Sequence, residues 1–76
     1  MKRAIRELDP VVLLRDLPAD GLRAGDVGAV VFVYPPDGLE VEFITPAGRT
    51  LAVRTLSTAD VRLAREGDLA TPPIPG

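Results

Sequence analysis

The chain has 76 residues, no cysteine, no histidine and a formal net charge of −2. That length supports one domain with a modest core. It excludes disulfide staples and thiolate metal sites, and it removes the commonest general base and zinc ligand. The charge is uneven: residues 1–6 carry +3, residues 7–42 carry −6, residues 43–65 carry +3 and residues 66–76 carry −2. Such a balance gives no overall pull toward nucleic acid or an anionic membrane, although the third segment leaves room for a local basic strip.

Residues 1–9 form a leader. Ile5 and Leu8 stand at helical spacing, but Asp9-Pro10 limits any helix to one turn, because the residue before proline is biased away from helical torsions. One of the two apolar residues is expected to cap the core. No apolar run follows the basic start, so no signal peptide is read, and no stretch approaches the roughly 18 apolar residues of a membrane helix. The expected compartment is the cytoplasm.

The domain proper is expected over residues 10–63. Pro10 to Arg15 is an apolar, β-branched run and reads as a first strand. Asp16 to Asp26 is a polar loop in which Leu22 is expected to tuck into the core. Gly25-Asp26-Val27-Gly28 is a tight turn entering the most hydrophobic strand, Val27 to Tyr34. That strand lacks clean alternation, which implies burial on both faces or a β-bulge. Gly28 is a natural place for the bulge or for a close backbone approach.

Two hairpins follow. Pro36-Asp37-Gly38 reads as a three-residue loop closed by a left-handed glycine, pairing Val33 with Val41 and Val31 with Phe43. Pro46-Ala47-Gly48 reads the same way, pairing Phe43 with Leu51, Val41 with Val53 and Glu40 with Arg54. Both registers place Val31, Val33, Val41, Phe43, Leu51 and Val53 on one face. Thr50 to Thr55 is then the fourth strand. Leu56 to Asp60 suits a turn or one 3₁₀ turn, and Val61-Arg62-Leu63 is a short fifth strand. Residues 64–76 are expected to be extended or disordered, with Pro72-Pro73-Ile74-Pro75 a polyproline-like tail.

The expected fold is therefore all-β: a small five-stranded SH3-like barrel with two three-residue hairpin loops and a short 3₁₀ turn before the last strand. Gly25, Gly28, Gly38 and Gly48 are its structural turns.

Leu8-Asp9, Val11 to Leu14, Asp16-Leu17-Pro18, Gly21-Leu22, Gly25 to Val31 and Val33-Tyr34 together resemble the small bacterial DUF4926 family. Val41-Glu42-Phe43, Gly48-Arg49-Thr50 and Leu56 continue the likeness, which covers roughly residues 7–63. The resemblance implies a bacterial origin and a compact β-barrel. It carries over no catalytic residues, because the family has no established activity. Gly25 to Val30 is also similar, more weakly, to the KOW motif of SH3-like domains that contact RNA or protein. Here Asp26 sits inside the turn and the basic flank is missing.

Catalysis is hard to build from these residues. Ser57 and the threonines have no histidine to activate them. Glu40 and Glu42 lie two apart on a strand face that reads as solvated. Asp16, Asp20 and Asp26 share a loop without EF-hand spacing and read as turn-formers. No cofactor, metal or enzymatic activity is expected. The outer face of strands 2–4 is more informative, because Phe32, Tyr34 and Ile44 point away from the core beside Glu40, Glu42, Ala52 and Arg54. Exposed aromatic surface of this kind marks interfaces. The expected function is a non-enzymatic protein-interaction or accessory module that binds a protein partner or a second copy of itself through Phe32, Tyr34, Glu40, Glu42 and Arg54. The alternative is nucleic-acid binding through Arg49, Arg54, Arg62 and Arg65.

Overall fold

In the computed structural model, residues 4–44 and 50–69 are described. They contain five strands, β1 (Pro10–Leu13), β2 (Val27–Tyr34), β3 (Gly38–Ile44), β4 (Thr50–Ser57) and β5 (Val61–Leu63). Three 3₁₀ turns, Pro18–Asp20, Thr58–Asp60 and Glu66–Leu69, complete the described elements. The strands form one antiparallel sheet in the order β4-β3-β2-β1-β5. The sheet has β4 and β5 at its two ends, and no pairing between them closes it.

The extents of β2 and β5 match the sequence reading. β1 is shorter, ending at Leu13, and β4 runs on to Ser57. The 3₁₀ turn before β5 is held by a reciprocal cap: the Ser57 backbone N–H donates to the Asp60 carboxylate at 2.9 Å, and the Ala59 N–H donates to Ser57 Oγ at 3.1 Å. That arrangement satisfies two donors that a helix start otherwise leaves free. Within residues 64–69, expected to be extended or disordered, Glu66–Leu69 forms a further 3₁₀ turn. Residues 70–76, with the proline-rich tail, lie outside the described residues, as does the loop Pro46-Ala47-Gly48.

Both hairpin registers differ from expectation. The first loop is Pro35-Pro36-Asp37, which contains a cis Pro35–Pro36 bond; Tyr34 faces Gly38 and Val33 faces Leu39. Gly38 begins β3 and is not in the left-handed region. An added Cβ there would stand 3.1 Å from Tyr34 Cβ, so close cross-strand approach, rather than torsion, is what the position asks of its residue.

The bulge of β2 falls at Val31, not at Gly28. Val30 faces Val41 and Phe32 faces Glu40, which leaves Val31 as the extra residue. In β4, Ile44 faces Thr50, the pairing that a Pro46-Ala47-Gly48 turn implies. A second irregularity then intervenes, and Phe43 faces Ala52 instead of Leu51. One extra residue moves every later side chain to the opposite face. Val41 therefore meets Arg54, and Glu42 meets Val53.

The core is correspondingly different. Val11, Leu13, Leu22, Val30, Leu39, Val41, Phe43, Ala52, Leu56 and Val61 are buried together, with Ile5, Leu17 and Val33 packed against them. Val41 and Phe43 occupy the inner face as expected, but Val31 is 42% and Val53 39% exposed. Leu22 is buried as anticipated, and its loop is pinned by paired backbone bonds between Leu17 and Leu22, of 2.9 and 3.1 Å. Of the two leader residues, Ile5 covers the core, whereas Leu8 is 84% exposed at a φ of 72°.

The two glycines that frame the entry to β2 have separate jobs. Gly25 has a φ of 100°, which side-chain-bearing residues resist, and its N–H donates to the Leu13 carbonyl at 2.7 Å. Gly28 is the close approach: a Cβ there would lie 2.8 Å from Val41 Cγ1 and 2.9 Å from both the Glu42 carbonyl oxygen and Phe43 Cδ1.

Candidate functional site

The bulge at Val31 builds the outer face. Upstream of it, Gly28 and Val30 face the core across from Phe43 and Val41; downstream, Phe32 and Tyr34 take the opposite side, across from Glu40 and Gly38. Phe32 is 48% and Tyr34 45% exposed. Their ring centroids are 4.7 Å apart at an interplanar angle of 55°, a tilted contact that fixes the two rings as one unit. Val31, Ile44 and Val53 are exposed as well.

Glu40 and Glu42 share this face with them. Glu40 Oε1 accepts from Thr55 Oγ1 at 2.8 Å and stands 3.4 Å from the Tyr34 hydroxyl. The polar edge of the aromatic pair is thereby tied across three strands. Of the expected partner-binding set, Phe32, Tyr34, Glu40 and Glu42 come together.

Arg54 does not join them. The extra residue at the start of β4 sends Arg54 to the inner side, opposite Val41, with Val53 and Thr55 taking the outer positions expected for Ala52 and Arg54. Its guanidinium reaches past the sheet edge to the Asp20 carboxylate and donates to the Val53 carbonyl at 2.7 Å.

The arginines of the alternative site are dispersed. Arg54 is paired with Asp20. Arg62 makes a two-pronged contact with Asp68, at 2.7 and 3.0 Å, and also donates to the Leu63 carbonyl at 3.3 Å. Arg65 is exposed, and Arg49 lies outside the described residues. A third pair joins Arg15 to Asp60 at 2.9 Å. In each pair the arginine's hydrogen bond is the main reason that the carboxyl titrates below its ordinary range; for Asp68 the Arg65 backbone N–H adds to it.

The loop aspartates are likewise engaged locally. Asp16 accepts from the Ala24 N–H and Asp26 from the Arg23 N–H, each at 2.9 Å. Among the described residues no group of three acidic side chains is placed to hold a metal ion.

A concave feature of about 660 Å³ lies between Ile5, the Pro35-Pro36 loop and β5. Leu39 and Val61 line it, together with Arg62 and Arg65, and Thr58 supplies its single hydroxyl. This apolar groove was not anticipated from the sequence, because it depends on where the leader crosses the sheet. No helix among the described residues is long and apolar enough to cross a membrane.

Comparison with curated proteins and with solved structures returns no match. A family model does match, over residues 7–63, which includes all five strands and the outer face just described. The chain belongs to the family described as a domain of unknown function, DUF4926.

Proposed function

We propose that the chain is a non-enzymatic protein-interaction module, an SH3-like barrel in kind, working in the bacterial cytoplasm. It binds a protein partner through the outer face of β2–β4. The observation that carries this reading is the Phe32–Tyr34 pair. Two aromatic side chains stand half exposed and mutually oriented on a sheet face, and Ile44 and Val53 of β3 and β4 are exposed as well. Small domains rarely leave an aromatic pair exposed in this way without a use for it. Glu40 and Glu42 add negative charge, so a partner with apolar and cationic groups suits the surface.

Nucleic-acid binding is the weaker reading. A phosphate backbone needs uncommitted cations, and Arg54 and Arg62 are spent on Asp20 and Asp68.

Affinity capture from bacterial lysate, with and without nuclease, tests the reading. The intact chain is expected to retain a stoichiometric protein after nuclease treatment. The double variant Phe32→Ser, Tyr34→Ser is expected to lose it while keeping its circular dichroism spectrum. Equal capture by both proteins overturns the proposal.

A further inference from the structure

The two ends of the sheet are finished in the same way. On β4, the Arg54 guanidinium donates to the carbonyl of its own neighbour, Val53, and is anchored by Asp20 from the 3₁₀ turn Pro18–Asp20. On β5, Arg62 donates to the carbonyl of its neighbour Leu63 and is anchored by Asp68 from the turn Glu66–Leu69. Each pair covers a backbone acceptor on a terminal strand, where unpaired N–H and C=O groups are a template for another chain.

The directions of these groups follow from the ladder. Val30 gives both its N–H and its C=O to the leader, to Asp9 and Leu8 at 3.0 and 2.7 Å. In an antiparallel ladder bonded and non-bonded pairs alternate. Ala29 and Glu42 are thus the bonded pair of β2 and β3, and Glu42 and Val53 the non-bonded pair of β3 and β4. Val53 therefore turns its N–H and C=O away from the sheet, and so do Thr55 and Ser57. The Ser57 N–H confirms the phase, since it bonds to Asp60 and not to β3. Among the described residues, what remains open on the edge is the N–H of Val53 and both groups of Thr55, with Arg54 lying over the Val53 carbonyl.

We infer that the edge of β4 is a self-association surface for a second copy of this chain, and that the Arg54–Asp20 pair is the latch that restrains it. β4 has eight residues against the three of β5, so it alone offers a ladder of useful length. A two-fold axis through Val53 or Thr55 pairs two β4 strands antiparallel without setting Arg54 against its own copy. The outer face of β4 holds Val53 and Thr55, which bring no charge to such a joint. Pairing requires Arg54 to leave the Val53 carbonyl. The inference rests on the backbone of β4 and not on the aromatic pair, so it stands or falls separately from the partner-binding proposal.

Sedimentation velocity over a wide concentration range tests it. Two latches open per dimer, so Arg54→Ala is expected to tighten self-association about tenfold over the unaltered chain. Asp20→Asn, which frees the guanidinium without touching β4, is expected to act in the same direction. Adding Thr55→Pro to either variant removes an outward-facing N–H, which a terminal strand tolerates, and is expected to restore the monomer. Thr55→Val, which loses only the hydroxyl, is expected not to. Self-association no tighter in both latch variants than in the unaltered chain overturns the inference, and so does a latch-variant dimer that survives Thr55→Pro.

Discussion

Gly28 and Phe43 face each other across β2 and β3 so closely that a single added carbon at Gly28 would stand 2.9 Å from the Phe43 ring. The ring is 1% exposed and the neighbouring Val41 is fully buried, so neither has free space into which to retreat. Gly28→Ala is expected to destabilise the fold by roughly 2 kcal/mol, the scale of an overpacked core. A urea-unfolding midpoint that does not move would refute the contact.

Leu8 presents the opposite case. It holds a left-handed φ of 72° with 84% of its surface in solvent. The conformation costs a side-chain-bearing residue about 1 kcal/mol, and little packing is lost by removing the side chain. Leu8→Gly is expected to raise stability by a few tenths to about 1 kcal/mol in the same urea measurement. A loss of stability would mean that the leucine packs.

Ser57 and Asp60 make a reciprocal cap at the entry to β5. Ser57→Ala removes the acceptor for the Ala59 N–H and is expected to cost about 1 kcal/mol. The nearby Thr58→Ala touches no part of the cap and serves as the comparison.

Acid sensitivity follows from the three arginine-paired carboxylates. Asp20, Asp60 and Asp68 are each held below the usual carboxylate range, first by an arginine hydrogen bond. A folded-state pKa below the unfolded one contributes stability that is fully present above the unfolded value and is lost as pH falls through the folded one. Unfolding midpoints are thus expected to be flat with respect to these groups down to about pH 4 and to decline below it. Asp60→Asn should make the decline shallower, and added salt should lessen the contribution of these partly exposed pairs.

Much of this was legible in the residues, and the failures have a shared cause. Strand chemistry located β2 and β5, and Leu56 to Asp60, read as a turn or one 3₁₀ turn, contains the 3₁₀ turn Thr58–Asp60 after the end of β4. The error in the first hairpin was two residues, from Val33 opposite Val41 to Val33 opposite Leu39. An even slip leaves faces unchanged, so Phe32, Tyr34, Glu40 and Glu42 still fell on one side. The error along β4 was one residue, which is odd, so Val53 and Arg54 exchanged sides. Residue types report burial and turn chemistry, but an extra residue within a run such as Ala29 to Val33 leaves no chemical mark. Its place is set by where Val30 finds bonding partners, which are Leu8 and Asp9 of the leader. The ion pairs of Arg54 and Arg62 were hidden for the same reason: Asp20 lies 34 positions from Arg54, and only the fold brings them together.

The bulge at Val31 has a consequence for how this strand tolerates change. In the five consecutive apolar residues Ala29 to Val33 the extra residue reverses the alternation, so that Val30 faces the core and Phe32 the outer side. What Val31 supplies to the fold is therefore length and not chemistry: Val31→Thr should fold as the original does. Deleting Val31 would turn Phe32 and Tyr34 inward or force Val30 out, in effect reversing half of the strand like a sleeve. Measured by circular dichroism and urea unfolding, the point substitution should be silent and the deletion should not. At Val31 the spacing of residues is under tighter constraint than their identity, and an insertion or deletion is the change that position can least absorb.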